Sequence, residues 1–523
     1  MQKSPRWYLG FADAIPSPIE AHQHTTSPAW ERETEFKGAC KLADHEGLSS
    51  NTLGLFDSAV MSIAGSAPAY SISATTAVLI AAVGVEAPAS LLWCGIPMLG
   101  VVISFLYLNR WNADAGASYA WVGKSLNANL GFLAGWALIV SATIFMVSGS
   151  FPAGQVTLAI LAPKLQNNLL WVTIVGALWF ILIAIVVTLG VRITAQVQWV
   201  MSTIEIILLV ICGITAMVKF GAHPANAFSW SWFSPTAFKS SSVFVGGALI
   251  ATFYYWGWDV SANLNEETKN AKSTPGFGAL IGIIFVFLMF ELFTVSTQMG
   301  LSLKEINTAG ANILQVMGVK LFGKGLGSIM ALAVALSTIA TLETTLIQVT
   351  RTLFSMGRDG VIARVFGKTH ARFRTPVAAS VVVGVFAMLL FVLSNFLSSV
   401  STVLTDAINA IGLQVVFYYA LAAISVIVYY RRVLFKSVAN FFLLFLWPTV
   451  AAIFLIIVGA FDVPSLGIVT NSIGIGLILV GILPLVWMRL KHHPDFYRHK
   501  REVFGQEQPV DVGVPPVDLT PLG

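Results

Sequence analysis

The chain reads as an all-α integral membrane protein of about 12 transmembrane helices. Three observations predict this class: charge is scarce, apolar runs long enough to cross a bilayer recur, and Lys and Arg lie mostly on one side of those runs. Of 523 residues, 56% are hydrophobic and 11% charged, and the mean hydropathy is +0.79. Soluble domains carry about 25% charged residues, so this composition cannot clothe the whole chain in a water-facing surface.

A spanning helix needs about 20 mostly apolar residues. Runs of that kind lie near 53–84, 89–108, 129–160, 169–190, 195–219, 243–265, 276–299, 326–356, 376–395, 402–429, 440–460 and 467–488. Residues 1–50 lack an apolar core of signal-peptide length and read as a retained polar tail. An even number of spans puts both termini on one side. Of the 30 Lys and Arg, all but Lys164, Lys219, Lys239, Lys304, Lys320 and Lys324 belong to that side. The bias predicts cytoplasmic N- and C-termini. One slip in the helix count would scramble it.

Composition also excludes function classes. Cys40, Cys94 and Cys212 are too few and too scattered for a disulfide framework or a metal cluster. All eight His lie in tails or loops, leaving no embedded His for haem ligation or acyl transfer. The net charge of +5 is accounted for by topology, so no nucleic-acid partner is expected. With no metal-ligand spacing, nucleophile–His pair or phosphate-binding glycine loop, the chain reads as neither an enzyme nor a cofactor protein.

Two spans carry interruptions. The first contains Ile63-Ala64-Gly65-Ser66-Ala67-Pro68-Ala69-Tyr70-Ser71. Pro68 lacks an N–H and disfavours a helical partner one turn back, and Gly65 lowers the cost of opening the helix there. The sixth contains Phe253-Tyr254-Tyr255-Trp256-Gly257-Trp258-Asp259-Val260-Ser261-Ala262-Asn263, a glycine and an acid amid apolar residues. Unwound backbone is tolerated in a membrane only where protein or a water-filled cavity satisfies it. Paired breaks five spans apart point to a site between inverted repeats. Freed N–H groups around Gly65, Ser66 and Ala67 would receive a carboxylate. Freed carbonyls near Phe253 and Tyr254 would receive an ammonium group, and Tyr254, Tyr255, Trp256 and Trp258 offer cation–π faces.

From about residue 50 to 490 the sequence resembles the amino acid–polyamine–organocation permease superfamily. The resemblance rests on Gly65-Ser66-Ala67 in span 1, on Trp256-Gly257-Trp258-Asp259 followed by Asn265-Glu266-Glu267-Thr268-Lys269-Asn270, and on Ala115-Gly116-Ala117-Ser118-Tyr119 with Gly131-Phe132 and Gly135-Trp136. Arg351 through Met356-Gly357-Arg358-Asp359-Gly360, then Thr375-Pro376, complete it. It implies alternating access by two inverted five-helix repeats, with broken helices 1 and 6, plus two peripheral helices. The organisation would be a cytoplasmic tail at 1–50, a transport core at 51–430, peripheral helices 11 and 12 at 431–490, and a second cytoplasmic tail at 491–523. Gly65, Ser66 and Ala67 would hold a substrate carboxylate and Phe253 would be an aromatic lid, with Trp258 and Asp259 lining the site or its gate. The candidate site comprises Ala64, Gly65, Ser66, Ala67, Phe253, Tyr254, Trp256, Gly257, Trp258 and Asp259.

Asp57, Glu205, Asp259, Glu291, Glu343 and Asp406 fall within the predicted spans, and no basic residue lies near a span centre. Such acids must be protonated, solvated in a cavity or paired with a transported cation. Many members of the resembled family place a lysine at the position of Glu205, standing in for sodium; this chain reverses that charge. Glu205 and Asp259 are therefore the candidate proton or cation coupling residues, with the proton favoured over sodium. The expected function is secondary transport, proton-coupled or by exchange, of an amino acid or related amine across the plasma membrane, with the excess of acids favouring a cationic amino acid or polyamine. The expected partners are that small molecule and membrane lipid. A small-cation channel is the alternative reading, disfavoured by the paired breaks.

Overall fold

A computed structural model describes residues 47–394, 400–499 and 501–505; the expectations for the remaining tail residues lie outside them. Among the described residues ten helices are long and apolar enough to cross a bilayer, and no β-strand forms. The first of the ten, Leu55–Trp111, contains two passes joined at a short turn, Gly84–Glu86. A further pass is split, and its longer piece, Ser241–Tyr254, has only 14 residues. At 1.5 Å per residue that piece falls short of the ~30 Å hydrocarbon core. Counting both gives the twelve passes expected.

In order, span 1 is Leu55–Gly65 with Pro68–Val83, span 2 Ala87–Trp111, span 3 Ala128–Leu161, span 4 Leu169–Leu189, span 5 Val191–Ala222 and span 6 Ser241–Tyr254 with Val260–Asn263. Span 7 is Thr274–Gly300, span 8 Ile329–Arg358, span 9 Val377–Ser394, span 10 Val400–Tyr429, span 11 Val438–Ser465 and span 12 Ile468–His492. Spans 1 and 6, five passes apart, run in opposite directions, as inverted repeats require. The face from which residues 47–54 enter span 1 is called the near side below.

Three helices outside the spans were not expected: Ser118–Ser125, Leu303–Ala309 and Ile313–Gly327. Each is too short or too polar to meet the spanning criterion. Span 8 is the axis of the bundle, with 83% of its most apolar window enclosed by protein, against 28% for spans 4 and 12, which face lipid.

The breaks have local causes. Steric crowding by a proline drives the preceding residue out of the right-handed helical region, and Ala67, just before Pro68, sits at φ 48°, ψ 60°. A left-handed alanine costs roughly 1–2 kcal/mol, so surrounding packing must hold it. In span 6, Gly257 has φ +95°, where a side chain is strained. The two breaks also touch: a Cβ on Gly65 would overlap the Gly257 carbonyl, and one on Gly257 would overlap the Gly65 carbonyl. Only a glycine pair lets the two backbones come this close.

Gly65→Ala and Gly257→Ala should each lower the melting temperature in detergent. Overpacking costs about 1–3 kcal/mol, and the strain at φ +95° makes Gly257→Ala the more severe. Gly47→Ala, with no atom within 4 Å of the added carbon, is the control. Melting temperatures indistinguishable from that control would contradict the close approach.

Candidate functional site

The far half of span 1 begins at Pro68, so its first available N–H groups belong to Ala69 and Tyr70. Ala69 N–H donates to Glu205 Oε1 at 2.9 Å and Tyr70 N–H to Ser337 Oγ at 3.2 Å. Glu205, on span 5, is fully buried, and its other oxygen, Oε2, has no partner among the described residues. A helix N-terminus carries partial positive charge and favours an anion; here the protein supplies the anion. The donors differ from those expected. Ser66 N–H is held by the Ser62 and Ile63 carbonyls at 3.3 and 3.1 Å, and Ala67 N–H by the Ala64 carbonyl at 3.1 Å.

On span 6 the near piece starts at Asp259, whose carboxylate is fully buried. Gln348 Nε2 donates to Oδ1 at 2.9 Å and Tyr418 Oη to Oδ2 at 3.0 Å, while Trp256 Nε1 donates to Tyr418 Oη at 2.7 Å. Asp259 therefore ties the break of span 6 to spans 8 and 10. The carbonyl of Phe253, expected to be free, accepts from Trp256 N–H at 3.1 Å. Tyr254 hydrogen-bonds Thr76 of span 1. Trp256 lies edge-on to Phe145 at 5.9 Å, and Phe145 lies edge-on to Tyr70 at 5.6 Å. Trp258 turns instead toward Phe105 at 5.0 Å and Tyr419 at 5.5 Å, with its Nε1 unpartnered among the described residues.

The structure thus brings Ala64, Gly65, Gly257, Glu205 and Asp259 into one layer around the two breaks, with Trp256 beside them. Thr341 of span 8 joins them by donating to the Ala64 carbonyl at 2.8 Å. Missed in the sequence were Ser337, Thr341, Gln348 and Tyr418. The first three recur at helical spacing on one face of span 8, a legible signal. Glu343 lies on the opposite face of that helix, with both oxygens unpartnered among the described residues. Asp57 and Asp406 have local structural roles. Asp57 accepts from Gly54 N–H at 2.6 Å and Trp199 Nε1 at 2.8 Å, and Asp406 from Thr470 Oγ1 at 2.7 Å.

Below this layer the near side is sealed by residues from the separate sequence fragments. Thr52 and Leu53 N–H donate to the Glu267 carbonyl at 2.8 and 3.0 Å, and Lys269 N–H donates to the Leu53 carbonyl at 2.8 Å. Arg351 grips the Glu267 carboxylate through Nε at 3.0 Å and Nη2 at 3.1 Å, both side chains fully enclosed. Arg358 bridges Asp114 and Glu266, each at 3.0 Å. Burial raises the carboxyl pKa of Asp114, but Arg358, Lys124 and hydrogen bonds from Ser355 and Gly116 outweigh it and hold the group below its usual range. Asn263 Nδ2 donates to the Ala115 carbonyl at 2.8 Å and Thr352 Oγ1 at 3.1 Å. On the far side a cleft of about 10 Å³ lies among Ser73, Gln155, Asn312 and Gln315, room for roughly one water.

The family profile described as amino acid permease matches residues 53–487. The chain is 26% identical over 310 residues to the low-affinity putrescine importer PlaP of Escherichia coli (strain K12), covering 56% of this chain and 64% of that protein. It is 25% identical over 341 residues to the chloroplastic cationic amino acid transporter 9 of Arabidopsis thaliana, covering 61% of this chain and 57% of that one. Over 385 residues it is 24% identical to the serine/threonine exchanger SteT of Bacillus subtilis (strain 168), covering 71% and 80%. The match thus spans less than two thirds of the length of the first two.

Removing one partner of a buried ion pair strands a charge and costs about 3–5 kcal/mol, whereas replacing both by apolar residues is often neutral. Arg351→Met should therefore lower thermal stability sharply, and Arg351→Met with Glu267→Met should recover most of it. A double variant as unstable as the single one would contradict the pairing.

Proposed function

The chain belongs to the amino acid permease family, and from that premise we propose that it is a secondary active transporter for an amino acid or related amine. It works by alternating access in the plasma membrane, with both termini cytoplasmic. The observation that carries this reading is the meeting of two broken helices at Gly65 and Gly257, flanked by the buried carboxylates of Glu205 and Asp259. The substrate binds beside the touching breaks, against Ala64, Gly65, Ser66 and Ala67 on span 1 and Phe253, Tyr254, Trp256, Gly257, Trp258 and Asp259 on span 6. Its ammonium group meets the carboxylates and the aromatic faces. The excess of acids favours a cationic amino acid or a polyamine, in keeping with a relative named as a putrescine importer. The relatives named here are importers, transporters and exchangers, which leaves the small-cation channel without support.

Coupling runs through protons at Glu205. One of its oxygens holds the start of the far half-helix, and the other, without a partner among the described residues, can take a proton. Protonation removes the charge from a charge–dipole contact worth about 0.3–1 kcal/mol at an exposed helix end and up to ~2 kcal/mol when partly buried. That loosens the far half of span 1 as the proton arrives.

Reconstituted in liposomes, the protein should take up a labelled amino acid or polyamine, faster with an inward proton gradient. No uptake of any member of such a panel, with or without the gradient, would sink the reading. Glu205→Gln keeps an acceptor for Ala69 N–H but cannot exchange a proton, so uptake should lose its pH dependence while the protein still folds. A pH profile matching that of the unmodified protein would remove Glu205 as the carrier.

A further inference from the structure

Away from the breaks, on the near side, a cavity of about 600 Å³ opens where spans 4 and 5 meet the loops after spans 6 and 8. Three cations from three separate stretches line it: Arg192 at the start of span 5, Lys269 after span 6 and Arg372 before span 9. All three are exposed, and none is paired with a carboxylate among the described residues. The seal uses the side chains of Arg351 and Arg358, whereas Lys269 contributes to it only its backbone N–H. Positive charge clustered at a membrane interface attracts an anion.

A second feature adjoins the first. A groove of about 430 Å³ runs between spans 4 and 9, from Phe180 to Thr188 on one wall and Ser380 to Leu389 on the other. Its rims are apolar and face outward: Ile181, Ile185, Val381, Val385 and Leu389 are each about half exposed. Gly384 is part of the lining, and a Cβ there would still stand 3.9 Å from the Phe180 ring. Thr188 ends the groove and Leu189 begins the cationic cavity, so the two are continuous along the chain. At 1.5 Å per residue the groove wall runs about 12 Å, close to the depth of one leaflet's hydrocarbon. Thr375 Oγ1, donating to the Thr188 carbonyl at 2.8 Å, ties the two walls together at the junction.

We propose that the cavity of Arg192, Lys269 and Arg372, together with the groove between spans 4 and 9, is a binding site for one anionic phospholipid of the near-side leaflet. The phosphate sits among the three cations and an acyl chain lies along the groove. A free phosphate would use the cavity but leave the groove unexplained, and a zwitterionic lipid would fill the groove but bring its own ammonium group to a cavity lined by three cations. The occupant joins the span 4–5 junction, the segment after Glu267 and the loop before span 9.

The full-length protein should melt higher in nanodiscs of phosphatidylcholine with phosphatidylglycerol than in phosphatidylcholine alone, because a ligand selective for the folded state raises apparent stability. Native mass spectrometry should show phosphatidylglycerol retained on the protein. Arg192→Gln with Lys269→Gln and Arg372→Gln should melt like the unmodified protein in phosphatidylcholine but lose the phosphatidylglycerol rise and the retained lipid. Ala184→Trp, which fills the groove and leaves the cations in place, should lose the retained lipid as well. Equal melting in the two nanodiscs, or a triple variant that keeps the full rise, would overturn the proposal. So would an equal rise on adding inorganic phosphate or glycerol 3-phosphate to phosphatidylcholine nanodiscs, which would make the cavity a free-phosphate site.

Discussion

The backbone-to-backbone contact between Gly65 and Gly257 is the constraint on which the rest of the molecule depends. Two helices that cross with nothing between their main chains must both lack a side chain there. Each must also leave its helical path nearby, one at the Pro68 proline and the other at a left-handed glycine. Breaking a helix inside a bilayer strands polar groups that lipid cannot satisfy. Much of the remaining architecture answers that demand. Glu205 and Ser337 take the N–H groups freed in span 1, Thr341 donates to the Ala64 carbonyl, and Gln348 and Tyr418 bind the acid that opens the near piece of span 6. Span 8 supplies three of those five side chains, which accounts for its being the most enclosed helix.

The same demand produces the chemistry. A carboxylate at the start of a half-helix is a structural cap as long as it is charged, and a proton acceptor as soon as its surroundings change. Glu205 has one oxygen in each role. Asp259, with a donor on each oxygen, is tied more firmly and couples the break of span 6 to spans 8 and 10. The near-side seal then has a mechanical meaning. Glu267, a few residues beyond the second break, is bound by the segment entering span 1 and by Arg351 of span 8, so the near halves of both broken helices are latched to the axis at one point.

Most of the helical frame was legible in the sequence because lipid imposes two coarse rules, a minimum apolar length and a sidedness of Lys and Arg, and both survive errors of several residues. The breaks were legible for the same reason, since Pro68, Gly257 and Asp259 are conspicuous against apolar neighbours. What escaped were relations rather than residues. Glu205 meets Ala69 across 136 positions of sequence, and no local pattern records that distance. The expectation of free N–H groups at Ser66 and Ala67 failed because the near half of span 1 keeps its helical bonds through Ala67, so the vacancy moves two residues onward. Arg351 and Glu267 read separately as a span end and a loop acid, and only folding reveals a pair. The short helices between spans escaped because amphipathic segments of that length carry no membrane signature.

The central claim is that the touching breaks form a site whose near side opens and closes against span 8. Spin labels at Ser50, on the segment entering span 1, and at Arg364, beyond span 8, report that movement through their separation in nanodiscs. The account predicts two distance populations, with the longer one growing when Arg351→Met releases the latch and when a transported amine and a proton gradient are supplied. A single distance, unchanged by the substitution, the amine and the gradient, would contradict it.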